Sequence, residues 1–268
     1  MKHATSLLAT ALLVALVLGT GAPVLRAGVE VELDEAELFF EINDTDGDGG
    51  IQVFLDGEGW DQMFLFDPDG VMILDIGASS SVGMQGITEL FFESAEPSFD
   101  DQPLEDLLAL FPEGTYTFEG TTTEGDTLVG EAELTHALPE APEQVSPVDG
   151  DSVDPCDAVL EWELVDDPEG SEIVGYKVIA ETDDDEVPLR VIDIDVTPNT
   201  QSVTLPAEFL LPGAYKWEVL AIEASHNQTI SETEFEVEDD NDCDEDSDDD
   251  SDSDSDSHAS KRHTSRPK

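Results

Sequence analysis

Leu211-Pro212-Gly213-Ala214-Tyr215-Lys216-Trp217 is a proline-glycine turn feeding an aromatic-rich strand, and its reading decides the fold. Proline pre-sets its own φ and glycine supplies the backbone freedom of a sharp corner, so the chain turns here and leaves extended. Alternation continues through Glu218-Val219-Leu220-Ala221, as in a half-buried strand. Phe111-Pro112-Glu113-Gly114-Thr115-Tyr116-Thr117-Phe118 repeats the arrangement earlier in the chain. Each corner follows a Pro-led apolar stretch, 103–110 and 206–211, and precedes a turn and another alternating strand. The repeat argues two domains of one kind, each with a corner and a hairpin. In the first, Pro103-Leu104-Glu105-Asp106-Leu107-Leu108-Ala109-Leu110 predicts a short helix, with proline in its first turn and acids near its positive end.

Working outward, Val159-Leu160-Glu161-Trp162-Glu163-Leu164 places Leu160, Trp162 and Leu164 on one face. Further strands are read at 175–180, 190–196, 201–205 and 229–237, with a turn at Asp167-Pro168-Glu169-Gly170. Short strands at about ten-residue spacing with turn signals between them argue a β-sandwich. Prolines and small polar residues mark 139–147 as a linker. From residue 238 onward an Asp/Ser run has almost nothing apolar to bury and reads as disordered. The predicted class is all-β: two tandem immunoglobulin-like β-sandwich domains, 28–138 and 148–237, with a disordered acidic C-terminal tail at 238–268.

The order Pro147, Trp162, Tyr176, Leu205, then Pro212-Gly213-Ala214-Tyr215 with Val219 and Ala221, resembles a fibronectin type III domain over about 95 residues. The resemblance implies that Trp162 is the core tryptophan of strand B, Tyr176 a strand C residue and Tyr215 the strand F tyrosine. The family usually has one more residue between the proline and the tyrosine, which leaves a related immunoglobulin-like variant as the alternative. Either implies a spacer or binding module, not a catalyst.

Residues 1–27 read as a secretory signal peptide: Lys2, an apolar run at 7–18 too short to span a membrane, then small residues up to Ala27. Cleavage is expected after Ala27, with Ala22 as the alternative site and an uncleaved anchor as the alternative fate. The chain holds 66 acidic against 9 basic residues, a formal net charge of -57. No lysine or arginine lies between Arg26 and Lys177, and four of the nine basic residues fall in the last eight positions. Such a surface repels nucleic acid and anionic membranes and gathers cations. Adaptation to high salt, where an acidic surface stays hydrated, accounts for the same composition without a ligand.

Asp44-Thr45-Asp46-Gly47-Asp48-Gly49 resembles the start of an EF-hand loop, in which alternate oxygens converge on one calcium ion. Position 12 is Leu55 instead of a bidentate glutamate, and the flanks read as strands, so this is no helix-loop-helix site. The two readings are a plain Asp/Gly-rich hairpin turn and a calcium site of Asp44, Asp46 and Asp48, completed by Asp56 or Glu58. Trp60, between glycines and acids, reads as a loop tryptophan, either stacking on a sugar or folded back over the sandwich edge. His136 and His226 sit on strand ends or turns with no nucleophile motif, and among so many acids no carboxylate pair stands out for acid–base work.

The expected function is therefore an exported non-catalytic binding or structural module of the cell surface or the secreted or periplasmic space. Cations and a protein or polysaccharide ligand are its expected partners, with nucleic acid and a mature transmembrane segment excluded. The rivals are a calcium-dependent adhesive or carbohydrate-binding accessory protein and a secreted hydrolase. Cys156 and Cys243 are the two cysteines, and in an immunoglobulin-like topology the start of strand B and the end of strand G lie at one pole. A Cys156–Cys243 disulfide is expected, worth up to about 4–5 kcal/mol on the loop-entropy account. Thiol counting on the denatured secreted protein should find no free thiol; two per chain would refute the bridge.

Overall fold

The computed structural model describes residues 28–183 and 187–239. Residues 1–27, expected to be a signal peptide, Cys243 and nearly all of the Asp/Ser tail lie outside the described residues. Two compact units form: one from residues up to 37, 53–92 and 114–133, the other from 38–52, 93–113 and 134 onward. Both are built almost wholly of strands, as the all-β sandwich reading requires.

The first unit contains β1 (Glu30–Glu32), β4 (Met72–Gly77), β6 (Gly114–Thr122) and most of β3 (Asp48–Phe66), β5 (Ile87–Glu93) and β7 (Thr127–Leu134). Its strands run β1-β7-β6-β3, with β4 and β5 also paired to β3. Register places Leu65 opposite both Phe118 and Leu74, and Val31 opposite Leu128. Period-two side chains then fill the interior, where Met63, Leu65, Tyr116, Phe118 and Leu128 are all buried. Gly120 allows a close approach, since a Cβ there would lie 2.8 Å from the Met63 terminal methyl. A short helix, α1 (Ser80–Gln85), stands between β4 and β5 and was not legible in the sequence.

The second unit holds the helix expected after Pro103, α2 (Leu104–Leu110), with Pro103 at its N-cap instead of in its first turn. Its sandwich is made from β8 (Gln144–Ser146), β9 (Ser152–Val153), β10 (Val159–Trp162), β11 (Ile173–Thr182), β12 (Val191–Val196), β13 (Ser202–Thr204), β14 (Gly213–Glu223) and β15 (Gln228–Val237). One sheet is β13-β10-β8; the other is β15-β14-β11-β12, with β9 also on β15. This is an immunoglobulin-like partition in which β12 joins the sheet of the C, F and G strands. To β15 is added, in parallel, part of β2 (Glu35–Asn43), with Gln228 opposite Glu41. Residues 139–147 are held to these strands: Thr229 Oγ1 donates to the Pro139 carbonyl at 2.9 Å and Gln144 Nε2 to the Trp217 carbonyl at 3.0 Å.

Between the sheets lie Leu160 and Trp162 from one side and Tyr176, Val178, Tyr215, Trp217, Val219 and Phe235 from the other. The Trp162 and Tyr176 rings are 5.8 Å apart, and Trp217 Nε1 donates to the Pro147 carbonyl at 2.9 Å. The tyrosine expected of strand F does what that family's tyrosine does: the Leu211 N–H donates to Tyr215 Oη at 2.7 Å, closing the corner. Gly114 and Gly213 open β6 and β14 at φ 138° and 134°, so the two corners share a backbone conformation closed to other residues. Cys156 lies in the turn before β10 and is disulfide-bonded; its pairing with Cys243 remains a proposal.

Tyr215→Phe leaves the Leu211 N–H without its acceptor and should cost about 1–2 kcal/mol. Urea unfolding should show a lower midpoint at unchanged slope. An unchanged midpoint would mean that the corner is held by packing alone.

Candidate functional site

The segment Asp44-Thr45-Asp46-Gly47 is a tight turn between β2 and β3. Asn43 organises it: its Oδ1 accepts from the N–H groups of Thr45 and Asp46, both at 3.0 Å, and its carbonyl accepts from Gly47 at 2.9 Å. This is Asx-turn chemistry, with Gly47 taking the positive φ of 69°. Asp44 and Asp46 are exposed and Asp48 is half-buried. Burial, then the charge of Asp46, raises the Asp48 carboxyl above its ordinary range. Asp56 and Glu58 lie inside β3, well along the strand from this turn.

A different set of carboxylates is gathered more closely. Carboxylate oxygens of Glu41, Glu93 and Glu96 all lie within 4.8 Å of one another, whereas Asp44, Asp46 and Asp48 form no such group among the described residues. Glu41 comes from β2, Glu93 ends β5, and Glu96 lies in the segment that follows. That segment is clamped to β3: the Ser94 N–H donates to the Ile51 carbonyl at 2.9 Å, and the Ile51 N–H to Ser94 Oγ at 3.0 Å. Phe99 adds an N–H bond to the Gly47 carbonyl at 2.8 Å. Gly50 makes room for this, because a Cβ there would sit 2.5 Å from Ser94 Oγ and 3.1 Å from Glu96 Cγ.

Glu41 is raised from 4.5 to about 7, first by burial, opposed by a hydrogen bond from Gln228 and reinforced by Glu93. Glu96 is likewise raised to about 7, by burial and then by Glu93 and Glu41. Among the described residues no salt bridge reaches these three groups. The sequence hides them because Glu41 is distant along the chain from Glu93 and Glu96 and comes from a different strand.

The basic side chains of the folded body are spent on structure. Lys177 meets Asp193 and Asp195, each at 3.5 Å, and Arg190 donates to the carbonyls of Glu208 and Phe209 at 2.8 and 2.7 Å. Lys216 meets Glu181, Glu218 and Glu232 at 3.4, 3.1 and 3.2 Å. Burial lowers its pKa, but Glu218 and Glu232 more than offset that and hold it above the usual lysine range.

One reading of a single residue is corrected. Asp56-Gly57-Glu58-Gly59-Trp60-Asp61 is the interior of β3, not a loop, and Trp60 is 0% exposed, so its ring cannot stack on a sugar. His136 is also structural: its Nε2 meets the Phe111 carbonyl at 2.9 Å and its ring packs edge-on against Phe40. The open groove beside it is lined by Glu140, Asp166, Asp167 and Glu169, and another, in the first unit, by Glu30, Glu32, Asp34, Glu119 and Glu131. Neither contains a serine or a cysteine.

No protein-family model and no curated protein matches the chain in sequence. Solved structures resemble it in backbone. The fibronectin(III)-like modules of Clostridium thermocellum CbhA are 9% identical, with 77% of this chain and 93% of that one covered and a TM-score of 0.32. The FN1–FN3 domains of chicken CNTN1 are 14% identical, covering 78% and 66% at a TM-score of 0.31. A structure concerned with host cell surface retention of a bacterial ice-binding adhesin is 13% identical, covering 80% and 67% at a TM-score of 0.26.

The raised carboxyls set a pH dependence. A carboxyl held above its unfolded value binds its proton more tightly when folded, so its stabilisation is complete below about 4.5 and lost as pH rises through about 7. Melting temperature should therefore fall over that window more steeply in the native chain than in a Glu41→Gln/Glu96→Gln variant. Identical slopes would show that the cluster does not govern the transition.

Proposed function

We propose that this chain is an exported, non-catalytic structural or binding module of the cell surface or secreted space. The observation that carries the reading is the second unit's fibronectin type III-like sandwich, whose solvent face is crowded with carboxylates while its few basic side chains are already paired. Such a face receives cationic groups on a protein, or cations bridging to a polysaccharide, and it disfavours nucleic acid. Half of the residues lining each of the two grooves are carboxylates and none is a serine or a cysteine, which favours binding over group transfer. Export is supported by the leader-like residues 1–27. Expression with that segment in a secreting host should release a chain beginning at Gly28, read by N-terminal sequencing. Retention of the uncleaved chain inside the cell would remove the export half of the proposal.

The second reading, a calcium-dependent adhesive or carbohydrate-binding accessory protein, rests on the sequence pattern of Asp44, Asp46 and Asp48, whose carboxylates would have to move together to share an ion. Millimolar calcium should raise the melting temperature of the full chain, and Asp46→Ala should lose that increment. Equal stabilisation of both proteins would assign the effect to general screening.

A further inference from the structure

Asn43-Asp44-Thr45 and Asn227-Gln228-Thr229 share one pattern, an asparagine with a threonine two residues on, and the fold treats them in opposite ways. The pattern, with any residue but proline between, is the acceptor for asparagine-linked glycans in exported proteins. Of the chain's four asparagines, these two stand in it.

Asn227 is 0% exposed, and both ends of its amide are in use. Its Oδ1 accepts from the Phe40 N–H at 2.9 Å, and its Nδ2 donates to the Thr135 carbonyl at 3.0 Å and to Thr135 Oγ1 at 3.1 Å. A sugar on that nitrogen would break these bonds and finds no room in a packed interior. The folded chain needs Asn227 bare.

Asn43 commits its oxygen. Its side chain orders the N–H groups of Thr45 and Asp46, and both are donors, so the atom facing them at 3.0 Å is necessarily Oδ1. Nδ2 is left for the other side, where it meets Asp46 Oδ2 at 3.4 Å, a long contact to an exposed carboxylate. A substituent on Nδ2 leaves one of its N–H groups and all of Oδ1 in place, so the turn survives it. Asn43 itself is half-buried, but Asp44, Thr45 and Asp46 are exposed. An open groove lined by Asp44, Pro142, Asp149 and Glu232 runs beside the turn and gives a sugar space.

We propose that Asn43 is a glycosylation site, whose Nδ2 receives a glycan from a lipid-phosphate-linked oligosaccharide during export. The proposal rests on the export reading above, since this transfer takes place on the exported side of a membrane. Nδ2 forms a bond to the anomeric carbon, and the bond from that carbon to the phosphate oxygen breaks. The lipid phosphate leaves with the electron pair, and one amide proton passes to the transferase. Thr45 sets the order of events. Its Oγ1 accepts from the Glu232 N–H at 2.9 Å, so in the folded molecule β15 holds the hydroxyl that a transferase reads. Glu232 follows Thr45 by 187 positions, and transfer belongs to the interval before β15 docks. Asn227 has no such interval, because Phe40 and Thr135, to which it bonds, are synthesised before it.

The test expresses the full chain in a secreting host that performs asparagine-linked glycosylation, beside two variants. Asn43→Asp keeps an oxygen for the turn and removes the nitrogen; Thr45→Ala keeps the nitrogen and removes the hydroxyl. The secreted native chain should exceed its sequence mass by whole sugar units and lose that increment to a peptide-N-glycosidase. Heavy-oxygen water present during the digestion should mark position 43, and both variants should be secreted without the increment. A secreted, leader-cleaved chain with Asn43 bare would overturn the proposal and leave export standing. So would label confined to Asn227 or Asn241, or an increment that persists in Thr45→Ala. A chain kept inside the cell with its leader uncut would overturn export and the glycan together.

Discussion

The structure depends on finding partners for carboxylates where cations are scarce, and it does so in three ways. Some are shared around one ammonium, as at Lys216 with its three glutamates. Others are held by neutral donors. Glu223 is 0% exposed and accepts from the N–H groups of Ser225 and Asn227 and from the hydroxyls of Ser171 and Ser225. A buried carboxylate satisfied in this way needs no counter-charge beside it, because each donor dipole points at the oxygen. The third way is retention of protons, seen at Glu41 and Glu96, where burial and like charge favour the neutral acid.

Lys216 and Glu218 lie on the outer face of β14, whereas Glu223 is in step with Tyr215, Trp217 and Val219 and is buried at the end of the inward face. Trp162, Tyr176, Tyr215 and Trp217 fill the space between the sheets with apolar surface. The division follows from strand periodicity. A residue and its neighbour point to opposite faces, so β14 supplies Tyr215 and Trp217 to the core and Lys216 and Glu218 to the acidic network without conflict.

What the sequence disclosed was local. The corner at Pro212 to Tyr215, the helix after Pro103 and the strands around Trp162 and Trp217 are each written in a few consecutive residues, and they lie where those residues place them. What it concealed was made by pairing at a distance. The β2–β15 contact joins Glu41 to Gln228 across 187 positions, and no local pattern announces a parallel partner. Trp60 was misread because glycines on both sides look like a loop, whereas Gly57 admits Leu33 and Gly86 passes close to Gly59 beside an unbroken strand. The glutamate cluster was hidden for the same reason: Gly50 reads as a turn residue and serves as the gap into which Ser94 and Glu96 fit.

The parallel addition of β2 to β15 bears on biosynthesis. At about 5–20 residues per second, the ribosome needs about 10–40 s to bring Gln228 out after Glu41, and for that time the edge awaiting β15 has no native partner. An unpaired edge invites pairing with neighbouring nascent chains. Glu35, Glu37 and Glu41 along β2, in a segment with no basic residue, make that encounter repulsive. The acidity that the finished molecule must accommodate thus guards the edge while the chain is incomplete.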